Sequence, residues 1–316
     1  MIEWSKGTVH SGMSTLKWLA VLTMLLSVSV EASQANSQTL DTTHRTAVIS
    51  AFQPEWAAFQ PILSDRREYI LNGTTFATGM IEGKPVLLFL SGISMVNAAM
   101  TTQLALDHFT VDRIIFSGVA GGANPNLTIG DVVVPAEWTQ YLEAVFAREQ
   151  DGTYKLPDYA DVPPAHFGMI FPQPVQIAKA GEAPEKRVWF PVDPSLLALA
   201  TTLTGTTKLA DCGADNTCLT HSPKIVVGGN GVSGQALVDN AAFREYARNT
   251  FAAEVIDMDS AAVAHVAYVN ATPFIAFRCV SDLAGGGEGE NELGTFLELA
   301  STNSAIVVRA LLRALP

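Results

Sequence analysis

No run of five or more basic residues occurs anywhere in this 316-residue chain, and its formal net charge is -12. Nucleic-acid binding needs a clustered positive surface to meet phosphates, so that class is set aside and a small-molecule partner is expected. Histidine and cysteine are scarce, six and three, and scattered without zinc-type spacing; no metal site and no cofactor is expected. No internal repeat is present. The apolar run Trp18 to Val30 is shorter than the roughly 20 residues that a membrane anchor needs. Charged residues are only 16% of the chain and hydrophobic ones 48%, so a chain of this length can bury a sizeable core as one large globular domain.

The N-terminus reads as a targeting signal, residues 1–35. Met13 offers a second start, Lys17 the positive n-region, Trp18 to Val30 the apolar run and Ser33-Gln34-Ala35 a small-residue cleavage site. The expectation is a periplasmic or secreted protein without membrane attachment after cleavage. Cys212 and Cys218 bracket a turn-rich GADNT, where either a short disulfide loop, suited to an oxidising compartment, or two free thiols fits. Cys279, within FIAFRCV, reads as a buried structural thiol.

From residue 36 onward, elements alternate. Ala47 to Ala51 is a short strand, and PEWAAFQPIL follows as a helix with Trp56, Phe59 and Leu63 at helical spacing and Pro54 in its first turn. Thr75 to Ile81 and Pro85 to Leu90 form strands joined by Glu82-Gly83-Lys84. Met95 to His108 is a helix. Arg113 to Ser117 is a strand running into Gly118, Gly121 and Gly122, where backbone can approach a ligand closely, and Ile129 to Pro135 is another. Residues 138–220, rich in Pro and Gly, read as an irregular elaboration of the same domain apart from a helix at Pro194 to Leu203. Lys224 to Val227 is a strand leading into the glycine turn GGNGVSG; a helix Leu237 to Thr250, a strand Ala253 to Met258, a helix Ser260 to Val269, a strand Phe274 to Val280 and a helix near Leu293 to Leu315 follow.

The run EVIDMDSAAVAHVAYVNATPFIAFRCVSD, Glu254 to Asp282, is the most telling. It is strand, small-residue helix, strand, with acidic residues at the strand ends. In open α/β sheets ligands bind at the carboxyl ends of strands, so Asp257, Asp259 and Asp282 can converge on one pocket fit for a sugar or a base.

The segments AVISAFQPEWAAF, SGISMVNAAM, IIFSGVAGGANPNLTIGDVVVP, GGNGVSG and DMDSAAVAHVAYVNATPFIAFRCVSD together resemble the nucleoside phosphorylase and nucleosidase superfamily, and within it the methylthioadenosine/S-adenosylhomocysteine nucleosidases. The resemblance covers roughly residues 46–140 and 222–315. It implies a single-domain three-layer α/β/α fold with a central mixed β-sheet, and hydrolysis of the N-glycosidic bond of a purine nucleoside. It also implies a homodimer or higher homo-oligomer, with neighbours closing the pocket.

What the resemblance implies for single residues is specific. Glycosidic cleavage passes through an oxocarbenium-like state. Asp282, in CVSD with Ser281 beside it on the substrate, would be the general acid at purine N7; from the residue alone it reads equally as a helix N-cap. Glu55 would orient and deprotonate water beneath the sugar, where the residue alone reads as a partner of the helix dipole. Ribose binding falls to Met258 and Asp259, the latter standing where relatives carry Glu, with Asp257 as a substitute. Val232 would stack on the base with Met258, and Gly121 would lie against the ligand. Phe52, Ile93 and Leu293 fall either in the pocket for the 5' substituent or in plain core packing. The alternatives are a phosphorylase or a nucleoside-binding storage protein. Phosphate needs arginines or backbone nests, and the first loop and the IIFSGVAGG turn carry none: Phe116 stands near the second arginine's place and Val119 at a phosphate-binding serine's.

Overall fold

A computed structural model describes residues 38–316; the targeting signal expected over residues 1–35 lies outside the described residues. The chain enters through β1 (Asp41–Ser50), whose second half is fully buried, and turns into α1 (Gln53–Ala57). The helix expected through Leu63 stops here and a 3-10 turn, Gln60–Ile62, follows. Pro61 explains the break: it has no N–H for the ladder and its ring meets the carbonyl four residues back, that of Ala57. An exposed edge strand with no apolar period, β2 (Ser64–Leu71), precedes the expected hairpin of β3 (Thr74–Ile81) and β4 (Lys84–Leu90). Glu82 and Gly83, φ 51° and 74°, give it the left-handed two-residue turn that matches strand twist. Helix α2 spans Met95–His108, as read from the sequence.

The long strand β5 (Phe109–Gly122) is the hub of the sheet. It pairs in parallel with β1 through Ile49↔Phe116 and with β18 (Phe274–Asp282) from Ile114 to Gly121, and antiparallel at Gly121 and Gly122 with β17 (Ala253–Asp257). The glycines at its end are therefore strand and not turn. So is most of GGNGVSG, which forms β16 (Asn230–Ser233). A Cβ on Gly231 would lie 2.5 Å from the ring of Trp138 and one on Gly234 2.2 Å from Tyr141 Cζ; these glycines let aromatic rings lie flat on the backbone.

The stretch 138–220 is more ordered than its composition suggests. After β6 (Val132–Val134), β7 (Glu137–Gln140) joins the main sheet beside β16. Three small ribbons follow, from β8 (Ala144–Phe146), β9 (Arg148–Gln150), β10 (Thr153–Lys155), β11 (Ile170–Pro172), β12 (Val175–Ile177) and β13 (Glu185–Arg187). Then β14 (Phe190–Pro191) closes the sheet edge on β7, and α3 (Pro194–Thr201) is capped by Asp193, which accepts from Ser195 and Leu196 N–H. Cys212 and Cys218 are disulfide-bonded, and Cys279 is buried and free.

Strand β15 (Ile225–Val227) pairs with β6, which pairs in turn with β18. Helix α4 runs Ala241–Phe251, later than expected, because Asn240 caps it by accepting from Phe243 N–H; Leu237 and Val238 are left in the preceding loop. Helices α5 (Ser260–Val269) and α6 (Leu293–Ala314) complete the chain. The result is one α/β/α domain around a mixed sheet. Helix α5 packs on α2, and α6 packs on β5, β18 and α1. Only α6, among the described residues, is long and apolar enough to cross a membrane by length and composition, and ten of its side chains are buried in the domain.

Candidate active site

The carboxyl ends of β1, β5, β17 and β18 and the turns after β4 and β16 surround one cavity of about 250 Å3. Its wall is largely apolar, with Phe52, Ile93, Val119, Leu237, Val238, Met258 and Leu293, and four carboxylates face it: Glu55, Asp257, Asp259 and Asp282. Sites for small ligands have this form, an apolar cleft with a few convergent polar groups.

Glu55 is 2% exposed. As the third residue of α1 it folds back, as in a capping box, so that Ala51 N–H donates to Oε2 (2.6 Å), while Val119 N–H of β5 donates to Oε1 (2.9 Å). Burial pushes its pKa above the usual value, against the opposing pull of Arg278 and of these amides. A carboxylate raised in this way is a stronger base than an ordinary glutamate and suited to taking a proton from a bound molecule.

Asp282 ends β18 and is also buried. Its Oδ1 accepts from Ala284 N–H (2.8 Å) and its Oδ2 from the Ser281 hydroxyl (3.0 Å). Burial raises its pKa; the hydrogen bonds from Ala284, Ser281 and Asn291 oppose the rise, and the charge of Glu292 adds to it. The two ends of the chain thus bring one carboxyl each to the same cavity.

Arg278 was not singled out in the sequence. It lies inside the nine-residue buried strand β18, is itself 0% exposed, and its Cζ sits 4.0 Å over the Phe116 ring. Its Nε donates to Ser260 Oγ (2.8 Å) and forms an ion pair with Asp257 Oδ2 (2.6 Å), but Nη1 and Nη2 have no hydrogen-bond partner among the described residues. A Cβ added to Gly118 would fall 1.7 Å from Nη1 and 2.6 Å from Glu55 Oε1, so guanidinium and carboxylate crowd one point under the cavity floor. An arginine in an otherwise apolar strand is itself the signal: arginine is almost never fully buried unless paired.

Asp257 and Asp259 have different surroundings. Asp257 is held by Arg278, by the Ser233 hydroxyl and by the N–H groups of Asp259 and Ser260, so its oxygens are occupied from within. Asp259 accepts one hydrogen bond, from Ser94 N–H at the start of α2. Burial and the neighbouring charge of Asp257 push its pKa up to about 7, with Glu55 adding to the rise and Arg278 opposing it. Ser94 reaches this position with φ 81° and ψ 156°, a conformation nearly reserved for glycine.

The other expected residues divide. Met258, Ser281, Gly121, Phe52, Ile93 and Leu293 all line the cavity, and Phe52 also packs on the main core. Val232 does not line it. It is 0% exposed, packed in the small core with Ala123, Tyr141, Tyr246 and Ile256, because the chain runs on as a strand there and the turn that reaches the cavity comes four residues later, at Ala236 to Val238.

Comparison with known proteins agrees with this architecture. Residues 45–313 match the model of the phosphorylase superfamily. The chain is 29% identical over 269 residues to a 5'-methylthioadenosine/S-adenosylhomocysteine nucleosidase of Geobacillus thermodenitrificans, covering 85% of this chain and 96% of that one. To its counterpart from Listeria innocua it is 30% identical, covering 84% and 97%. The crystal structure of the same kind of nucleosidase from Neisseria meningitidis, in complex with methylthio-immucillin-A, superposes with a TM-score of 0.63 at 25% identity, over 86% of this chain and 99% of that one.

Proposed function

Because the chain belongs to the phosphorylase superfamily, we propose that its cavity hydrolyses the N-glycosidic bond of a purine nucleoside, releasing free purine and a ribose that keeps its 5' substituent. The observation that carries this reading is the meeting of Glu55 and Asp282 in one apolar cavity, each with its pKa raised by burial. Cleavage builds positive charge on the sugar and negative charge on the base. Asp282, protonated, gives its proton or a hydrogen bond to N7 of the leaving purine. Glu55, ionised, holds water below the sugar carbon and takes its proton, with the charge of Arg278 behind it under the cavity floor. Asp259 and the Met258 backbone hold the ribose hydroxyls, and Met258 closes against the ring.

The apolar side chains Phe52, Ile93 and Leu293 favour a 5' group without charge next to the sugar, such as the thioether of methylthioadenosine or the first part of S-adenosylhomocysteine. Ile93 at the cavity and Val96 and Met100 of the adjoining helix α2 present 46%, 65% and 58% of their surface to solvent. That apolar patch supports a homodimer in which a second copy covers the 5' end. The Cys212–Cys218 bond supports export to an oxidising compartment.

The test is release of purine and reducing sugar from methylthioadenosine in phosphate-free buffer by the wild type, and its loss in E55Q. Removing a general base lowers kcat by about 10²–10⁴-fold. Release that starts only when phosphate is added replaces the hydrolase by a phosphorylase.

A further inference from the structure

The segment between β18 and α6, LAGGGEGENE, lies against the loop between β16 and α4 at backbone distance. A Cβ on Gly285, whose φ is 83°, would fall 2.4 Å from Asn240 N, and one on Gly286 would fall 2.1 Å from Arg244 Nη1. Asn240 N–H donates to Ala284 O across the seam (3.1 Å). Both loops line the cavity, one through Ala236, Leu237 and Val238 and the other through Leu293 at its exit.

One side chain ties them together. Asn291 Oδ1 accepts from Leu293 N–H (2.9 Å), and its Nδ2 donates to Asp239 Oδ1 (3.0 Å) and to Asp282 Oδ1 (3.4 Å). Oδ1 of Asp282 therefore faces two N–H donors, Ala284 and Asn291, which occupy both its lone pairs. A proton on this carboxyl has to sit on Oδ2. The partner of Oδ2 is the Ser281 hydroxyl, which can turn its own proton to Ala120 O (3.4 Å).

We propose that Asn291 is a positioning residue: it makes Oδ2 the proton-delivering oxygen of Asp282 and at the same time fastens the Ala236–Val238 loop over the base. The inference rests on the hydrolase reading above. Other charged groups near Asp282 are Glu292 at the start of α6, Asp239 on the facing loop, Arg244 of α4 beyond Gly286, and the carboxylates Glu55, Asp257 and Asp259 on the same cavity.

The two duties predict different kinetics. N–H donors favour the charged form of a carboxyl, so N291A shifts the basic limb of the kcat profile to higher pH. Its plateau falls at the same time, about tenfold, the order expected when a hydrogen bond to a charged group is lost. D239N loosens only the loop: KM rises and the basic limb does not move upward. A defect in folding alone would lower the melting point and active fraction without moving that limb. Should N291A melt below the assay temperature, N291S, whose hydroxyl is too short to span Asp239 and Asp282, repeats the measurement. An active wild type with an N291A profile that superimposes on it after scaling overturns the inference alone; a wild type that releases no purine overturns the hydrolase reading with it.

Discussion

Replacing Asp259 by Asn tests the electrostatics of the site without any substrate. An ordinary aspartate titrates near 3.8, and Asp259 is pushed up to about 7 by burial and by Asp257. The folded state thus holds a proton that the unfolded chain has already released. The stability this contributes is fully present below about pH 3.8 and is lost as pH rises through about 7. At about 1.4 kcal/mol per pH unit the loss reaches about 4 kcal/mol. Asn is neutral throughout, keeps the shape, and offers Ser94 N–H the same acceptor. D259N and wild type should therefore be nearly equally stable at pH 4, the variant becoming steadily the more stable up to about pH 7, with the gap constant above. A domain of this size gains about 2–4 °C per kcal/mol, which makes the gap at pH 8 about 10 °C. Glu55 and Asp282, also raised, are present in both proteins and largely cancel in the difference. The assay is a pair of thermal melts at pH 4, 5, 6, 7 and 8. A difference independent of pH, or a wild type that gains on the variant as pH rises, refutes the reasoning.

Two further outcomes follow from the same surroundings. R278M leaves Asp257 buried without its cation, and breaking such a pair costs about 3–5 kcal/mol; denaturant melts should show this loss, and turnover should fall with it as Glu55 loses the neighbouring positive charge that favours its ionised form. S94G keeps the amide donated to Asp259 and removes the strain of a non-glycine residue at φ 81° and ψ 156°, which costs about 1–3 kcal/mol; after the extra freedom glycine gives the unfolded chain, about 0.4–1 kcal/mol, the variant should melt a few degrees higher, and an unchanged or lower melting point counts against that backbone geometry.

Where local pattern and tertiary environment agree, the sequence was legible. Met95–His108 and Ser260–Val269 are helices to the residue, and the strand ends at Asp257 and Asp282 were visible as apolar runs closing on an acid. Glycine was not legible in the same way. In SGVAGG and at Gly231 of GGNGVSG it looks like a turn, yet it lies in strands with something large resting on it, Arg278 on Gly118 and Trp138 on Gly231, while Gly228 and Gly229, at φ 104° and 71°, do turn the chain between β15 and β16. Nothing within either segment announces the visitor, which arrives from a distant part of the chain. Arg278 was missed for the related reason that its partner, Asp257, ends the preceding strand, with the whole of α5 between them. Val232 was placed by its position in a motif, which says where the chain is but not which way the strand turns a side chain.

The distribution of charge around Arg278 also decides between the two nucleophiles. Its single positive charge is already matched by Asp257 at 2.6 Å, while Glu55 and Asp259 stand close by. A phosphate dianion entering here would face carboxylates on several sides. Two unit charges at about 5 Å in a medium of effective dielectric about 20 repel by about 3 kcal/mol, and phosphate would meet that repulsion more than once with no second arginine to offset it. Val119, where a hydroxyl would be wanted, offers the site only its backbone N–H, and this is already given to Glu55. Water bears no charge and can donate to Glu55 without meeting that repulsion.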